Sequence, residues 1–470
     1  MKIIIVGAGR VGSSVAEALV SEANDITVID TDVSRVAELQ ERFDLRGLVG
    51  NAALPSILQQ AGAEDADMLI AVTAGDEINL VACKIAADLY NIPTRIARVR
   101  NVELQQHPAL IGEGGFRASH VIFPEQTVTD YLLKLIEFPE ALQVLEFADG
   151  RASLIAVRAF AGGPLVSHPI KDLRRHIPNV DTRIVAIFRN DASVRVDGDT
   201  FVQPGDEVFF LAASRDIRRV LGEMRRMDKP VRRVIIAGGG NIGLRLARAL
   251  DTGEGLDIAE RFNVRIIESN KRRAEVLARE LSSEVLVLQG DATDEDLLTQ
   301  EGVQDADLFV ALTNDDENNI MSSLLAKRLG ARRVIALINR KSYGDLMQGG
   351  QIDIAVSPSY ATLSALLRFV RRGDVVAAHS LRRGAAEALE LIVHGDEKSS
   401  RIIGKQIEQI ELPRGATIGA VVRGSADRAQ VLMAHHDVVV QAEDHLIVFV
   451  ENKRIIPRVE KLFSVGLGFF

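Results

Sequence analysis

Along the first part of the chain, short runs of aliphatic and β-branched residues alternate with stretches whose apolar positions recur every three or four residues. The runs at 2–6, 26–30, 45–49, 67–72 and 94–99 predict strands, and the stretches near 11–21, 33–42, 55–61 and 77–90 predict helices. Strands this uniformly apolar need cover on both faces, so the pattern predicts a parallel sheet between two layers of helices. The alternation returns later, with strands expected near 233–237, 264–268, 285–289, 307–312 and 333–338.

The return is a repeat in residues as well as in period. KIIIVGAGRVG at 2–12 becomes RVIIAGGGNIG at 233–243, and AGAEDADMLIAVTAGDEINLVACKIAADL at 61–89 becomes EGVQDADLFVALTNDDENNIMSSLLAKRL at 301–329. The offset grows between these pairs, and DTGEGLDIAERF at 251–262 suits the surface loop that absorbs the difference. Each copy is followed by a helical stretch, TVTDYLLKLIEF at 127–138 and YATLSALLRFVRR at 360–372, and then by a small β-rich region. There SLIAVRAF, TRIVAIFRND and DEVFFLAAS, and later TIGAVVRG and DHLIVFVE, alternate as strands with one solvated face would. Helices are expected around 214–226 and through NKRIIPRVEKLF. MRRMDKPVRR at 224–233 marks the joint between the halves. The expected division is 1–125, a helix at 126–140, 141–226, a linker at 227–232, 233–358, a helix at 359–376, and 377–470. The apolar segments 132–138 and 363–370 carry more hydrophobic surface than a lone domain covers, so they are expected to pack between modules or subunits.

Composition narrows the function classes. A chain of 470 residues exceeds one ordinary domain, and its 47% hydrophobic and 26% charged residues suit a water-soluble protein. No apolar run reaches the roughly 18–20 residues of a membrane span, and MKIIIVGAG enters a strand directly without a secretory signal, so cytoplasmic residence is expected. A net charge of −9, with Arg pairs at 371–372 and 382–383 but no basic stripe, argues against a nucleic-acid partner. The single cysteine, Cys83, excludes a disulfide framework and reads as part of a buried helix face.

The candidate chemistry lies in the glycine turns. A GxGxxG alone is weak evidence, but here it follows an apolar strand and opens a helix twice. Gly7 and Gly238 permit the tight turn, Gly9 and Gly240 let backbone approach a pyrophosphate, and Gly12 and Gly243 allow close helix packing. The free amides at the helix start then face the phosphates. Asp30 and Glu268 end the second strands, where a carboxylate accepts hydrogen bonds from ribose hydroxyls and repels a 2′-phosphate. That favours NAD or NADH and equally admits ATP or ADP. The N-cap role open to Asp30 is better filled by Asp32. After the fourth strands, Thr73, Ala74 and Asp76, and Thr313, Asn314 and Asp316, stand at the carboxyl edge, as ligand contacts or as helix caps.

Taken together, GAGRVG, VID, DADMLIAVT, GGGNIG, GDATDEDLL, DADLFVALTNDDENNIM and SLRRGAAEALE resemble the peripheral NAD-binding subunits of bacterial Trk potassium uptake systems, over nearly all of 1–470. The resemblance implies an α/β protein of two potassium-conductance-regulating (RCK) modules, each a Rossmann-like parallel-sheet domain followed by a small α+β C-terminal domain. It also implies a cytosolic regulator that forms a homo-oligomeric ring, expected as a tetramer. Such a ring lies peripherally on the inner membrane face, under a separate membrane-embedded potassium pore subunit, and gates flux according to bound nucleotide. The family's first site falls on Gly7, Ala8, Gly9, Arg10, Val11, Asp30, Thr73, Ala74 and Arg98, and the second on Gly238, Gly239, Gly240, Asn241, Ile242, Glu268, Asp291 and Thr313.

The two copies differ. Arg10 stands where the second turn has Asn241, laying ARVR on IALI sets Arg98 against Ala336, and Asn51 replaces Asp291. Two extra cations are expected to strengthen phosphate binding at the first site and to leave the second mainly with backbone amides. A dehydrogenase is the competing reading, but it needs a substrate cavity and a proton donor, and no His, Lys or Tyr cluster stands out. His107, His120, His168 and His176 are scattered, and His435 and His436, adjacent on a strand, would point to opposite faces, away from a shared metal. A soluble nucleotide-binding scaffold without a membrane partner is the third reading.

Overall fold

The first apolar run becomes β1 (Lys2–Val6), flanked in parallel by β2 (Asp25–Asp30) and β4 (Met68–Ala71). With β3 (Arg46–Val49), β5 (Thr94–Arg98) and β6 (His120–Ile122) these form an all-parallel sheet in the order β3-β2-β1-β4-β5-β6. The computed structural model describes residues 1–20, 24–178, 180–190, 192–224, 229–256, 261–340, 342–343, 352–370, 375–381, 386–424 and 429–463. Helices Arg10–Val20, Val33–Arg42, Pro55–Gln60 and Asp76–Asp88 lie within two residues of the sequence expectation at each end. Asp32 caps the second of them, its carboxylate accepting from the Ser34 and Arg35 amides.

The second copy repeats the sheet with β12 (Arg233–Ala237), β13 (Asn263–Glu268), β14 (Leu286–Gln289), β15 (Leu308–Ala311), β16 (Arg333–Leu337) and β17 (Ile354–Val356), in the order β14-β13-β12-β15-β16-β17. The sixth strands, β6 and β17, were not expected, because three residues are too few to show a period. The Arg pairs at 371–372 and 382–383 lie outside the described residues, as do 225–228 of the joint and 257–260 of the long loop.

Each parallel sheet is followed by a crossover helix, Pro124–Glu137 or Pro358–Val370, and an antiparallel sheet. The first such sheet contains β7 (Ala141–Phe147), β8 (Ala152–Arg158), β9 (Thr182–Arg189), β10 (Ala192–Val194) and β11 (Glu207–Ala213), in the order β10-β9-β11-β8-β7. The second contains β18 (Val375–Leu381), β19 (Ala386–Ile392), β20 (Ala416–Arg423), β21 (Gln430–Met433) and β22 (His445–Val450), in the order β18-β19-β22-β20-β21. Terminal helices Ile217–Met224 and Ile456–Phe463 complete the two units.

Packing between the halves corrects one expectation and bears out another. A solvated face was expected on the antiparallel sheets, yet β8 and β19 are buried at six successive positions. The two sheets cover each other: Phe147, Leu154, Phe188 and Phe209 share a core with Leu381, Ala388, Met433 and Phe449. Burying a large apolar side chain is worth about 1.5–3 kcal/mol, so this joint is a substantial part of the fold. The crossover helices are exchanged between modules, as their apolar excess predicted. Val128, Leu132 and Ile136 of the first pack with Leu246 and Leu250 of the second module, and Leu363, Leu366 and Leu367 of the second pack with Val15 and Leu19 of the first. Cys83 is buried, and burial pushes its thiol up to about 12.

Candidate nucleotide sites at the two glycine turns

At the first turn the backbone itself demands two of the three glycines. Gly7 sits at φ +108, and its amide donates to the Ile29 carbonyl at 2.7 Å, tying the turn to β2. A Cβ on Gly12 would stand 1.8 Å from the Gly7 carbonyl oxygen, so nothing larger fits there. Gly9 differs: its φ is not positive and a Cβ there would meet nothing within 4 Å. The second turn repeats all three features, with Gly238 at φ +104, a Cβ on Gly243 falling 2.0 Å from the Gly238 oxygen, and one on Gly240 meeting nothing within 4 Å.

The acid at each second-strand end is aligned by the turn it faces. Asp30 Oδ2 accepts the Ala8 amide at 2.6 Å while Oδ1 accepts the Asp32 amide at 2.9 Å. Glu268 makes the matching pair with the Gly239 and Asn270 amides, each at 2.8 Å. The Thr73 hydroxyl donates to Asn79 Oδ1 of the following helix at 2.7 Å, and Thr313 does the same with Asn319. Ala74 and Asn314 stand exposed at the rim. Asp76 accepts from the backbone amides of Arg100 and Asn101, and Asp316 from those of Asn339 and Arg340, so these carboxylates hold the loop after the fifth strand. Asp291 accepts from the Thr293 amide and hydroxyl, and Asn51 from the Ala53 amide, giving equivalent local turns.

Charge distinguishes the sites. Arg98 is half-buried with its Nε lacking a hydrogen-bond partner, and burial first, then the Arg100 charge, disfavours its cation, with Arg10 adding to this and the Glu125 and Asp76 carboxylates offsetting part of it. A cationic rim of this kind is relieved by an anion. Strand register corrects the position matched to Arg98. Ala97 pairs with Ala71 as Ala336 pairs with Ala311, so Arg98 corresponds to Leu337 and not to Ala336. The second site still lacks that cation, but it gains another. Arg273 donates from Nε to the Gly239 carbonyl at 2.7 Å, and its Nη2 is buried without a partner. The second turn was expected to be left mainly with backbone amides, and the structure adds a guanidinium lying across its carbonyl. Its counterpart Arg35 turns away to Asp32 at 3.3 Å.

The family models fit this architecture segment by segment. The TrkA-N domain matches 3–124 and 234–358, and the TrkA-C domain matches 154–224 and 397–464. The chain belongs to the TrkA family. Among its curated relatives, Trk system potassium uptake protein TrkA of Halomonas elongata is 53% identical over 470 residues, covering all of both chains. The protein of the same name from Vibrio alginolyticus is 50% identical over 99% of each. These are potassium uptake proteins by name and not dehydrogenases, so the enzyme reading is set aside. Among solved structures, the GsuK RCK domain covers 98% of this chain at 17% identity with a TM-score of 0.59, and the GsuK channel bound to NAD covers 98% with a TM-score of 0.60. At that identity the likeness concerns the fold, a tandem of RCK modules.

Two features of the sites were missed from sequence. Asn79 and Asn319, both fully buried, each bridge the Thr loop to the end of the fifth strand, donating to the Arg98 and Leu337 carbonyls at 2.8 Å. Their identity at matching repeat positions was the available signal. Arg273 gave none, because Arg35 occupies the matching position and only tertiary packing separates their roles.

Proposed function

We propose that this chain is the nucleotide-sensing regulatory subunit of a potassium uptake system, binding NAD/NADH and ATP/ADP at two unequal sites and gating a separate membrane pore protein. Gly9 and Gly240 carry the reading: neither backbone angle nor packing requires glycine there, and omission of a side chain makes sense where a pyrophosphate approaches the backbone. Asp30 and Glu268 beside the turns suit ribose hydroxyls, and the Arg98 rim suits phosphate. The GsuK channel named as bound to NAD has the same fold and supports the ligand class.

No helix among the described residues is long and apolar enough to cross a membrane, so the reading requires a separate pore-forming chain. Assembly as a tetrameric ring belongs to the same proposal. Helix Asp316–Leu329 buries Asn319, Ser322 and Ser323 while Met321 is exposed and Ile320, Leu324 and Leu325 are only half-covered, an inverted face suited to another subunit. Titration of the full chain with NADH and with ATP, followed by calorimetry, tests the sites. Gly9→Val should lose about a hundredfold in affinity at the first turn alone, and Gly240→Val the same at the second. Undiminished binding in both variants would refute nucleotide recognition by these turns. Co-purification with the potassium pore protein in mild detergent tests the partner.

A further inference from the structure

The two candidate sites are joined by one side chain. Arg245 lies on helix Asn241–Thr252, one turn past the second glycine turn, and donates from Nη1 to Gln126 Oε1 and from Nη2 to Gln105 Oε1, each at 2.7 Å. Gln126 belongs to the first crossover helix and passes its amide on to Asp130 at 2.7 Å. Gln105 ends the short helix Val102–Gln105, which Asn101 caps. The Arg100 and Asn101 amides are those held by Asp76, and Arg100 pairs with Glu125 of the crossover helix at 2.7 Å. Arg98 stands two residues earlier. A continuous path of bonds thus leads from the first site's cationic loop to the helix that opens at the second site.

The path is under-satisfied and one-sided. Arg245 Nε and Gln105 Nε2 are buried without hydrogen-bond partners, which raises the energy of this arrangement relative to one that satisfies them. In the first module Ser14 takes the place of Arg245, and its hydroxyl donates back along its own helix to the Arg10 carbonyl at 2.9 Å. Among the described residues no matching bridge runs in the opposite direction from that position.

We propose that Arg245 is a positioning residue that couples the two nucleotide sites, so that phosphate drawn to Arg98 shifts the 100–105 segment and, through Arg245, the helix start at the second site. The inference rests on nucleotide binding at the first turn. By linkage, the second site must act back on the first with equal strength.

Hydrogen exchange on the full chain tests it, with the second turn blocked by Gly240→Val and NADH as the probe. Saturating NADH should slow exchange at 7–12 and change exchange across 241–252 by about fivefold. Adding Arg245→Met should reduce the change across 241–252 to less than about twofold while leaving 7–12 as responsive as before. Gln105→Ala cuts the bridge from the other side and should do the same, which separates coupling from any loss of fold in Arg245→Met. An undiminished response across 241–252 in both variants overturns the proposal. So does a parent chain that responds at 7–12 but not at 241–252, an outcome that leaves nucleotide binding intact. Silence at both segments overturns the nucleotide reading, and the coupling with it.

Discussion

At the first glycine turn, Arg10, Arg98 and Arg100 gather at the carboxyl edge of the sheet, and burial disfavours the Arg98 cation although Glu125 and Asp76 offset part of the Arg100 and Arg10 repulsion. At the second, Leu337 replaces Arg98, Arg340 is drawn away to Glu317 and Tyr343, and the remaining cation, Arg273, lies across the turn carbonyl beside Glu268. The backbones of the two turns nevertheless agree, down to the carboxylate that accepts the turn amide. The comparison teaches that duplication preserved what the backbone needs and released the charges around it. The cation beside the turn comes from the fifth strand in one copy and from the helix after the acid in the other.

The largest effects test the shared part. Gly12→Ala and Gly243→Ala each place a Cβ within 2.0 Å of a carbonyl oxygen, and each should cost about 3 kcal/mol in denaturant unfolding of its own module. A much smaller cost at one turn would break the equivalence.

The antiparallel sheets test the inequality through pH. His379, in the place Leu145 holds in the first sheet, packs edge-on to Phe147, and burial pushes its imidazole down to about 4. A group that stays neutral when folded but protonates when unfolded stabilises fully above the ordinary value of 6.5 and loses that stability as pH falls toward about 4. The loss should be about 2 kcal/mol for a ring that keeps some exposure, and His379→Leu should flatten it in urea titrations at successive pH values. His445 works in the opposite sense. Its bond to Glu390, which itself accepts the Ala148 amide, raises its pKa, so its contribution is complete below 6.5 and fades as pH rises past the raised value.

Smaller effects belong to the cations. With the second turn blocked by Gly240→Val, so that coupling does not enter, Arg98→Ala should weaken nucleotide binding at the first site about tenfold in calorimetry, with a reduced salt dependence. With the first turn blocked by Gly9→Val, Arg273→Ala should weaken binding at the second about fivefold, whereas Arg35→Ala in the Gly240→Val chain should be nearly silent at the first. Equal responses to Arg273→Ala and Arg35→Ala would mean that the two acids sit in equivalent surroundings after all.

Much of this was legible in advance because the signals are local. A run such as KIIIV followed by GAGRVG specifies a strand, a tight turn and a helix start through residues that touch each other. The three-residue β6 and β17 escaped notice, as did the flanking strands β7, β18 and β19, whose pairing depends on neighbours brought by the fold. The match of Arg98 to Ala336 failed by one residue. The first copy takes one residue more between its helix start at Asp76 and β5 than the second takes between Asp316 and β16, which moves the partner of Arg98 back by one to Leu337; laying ARVR on IALI moved it back by two, because four residues of similar texture do not fix a register.

The sequence by itself determined the duplicated parallel sheets, the glycine geometry and the acid beside each turn, since these follow from side-chain period and backbone sterics within short spans. Only the tertiary structure decided that the crossover helices exchange modules, that the antiparallel sheets bury each other's outer faces, and that Arg245 reaches Gln105 across 140 residues of chain. Apolar pattern states that a face must be covered. Which surface covers it is settled by shape and by the area buried when distant segments meet.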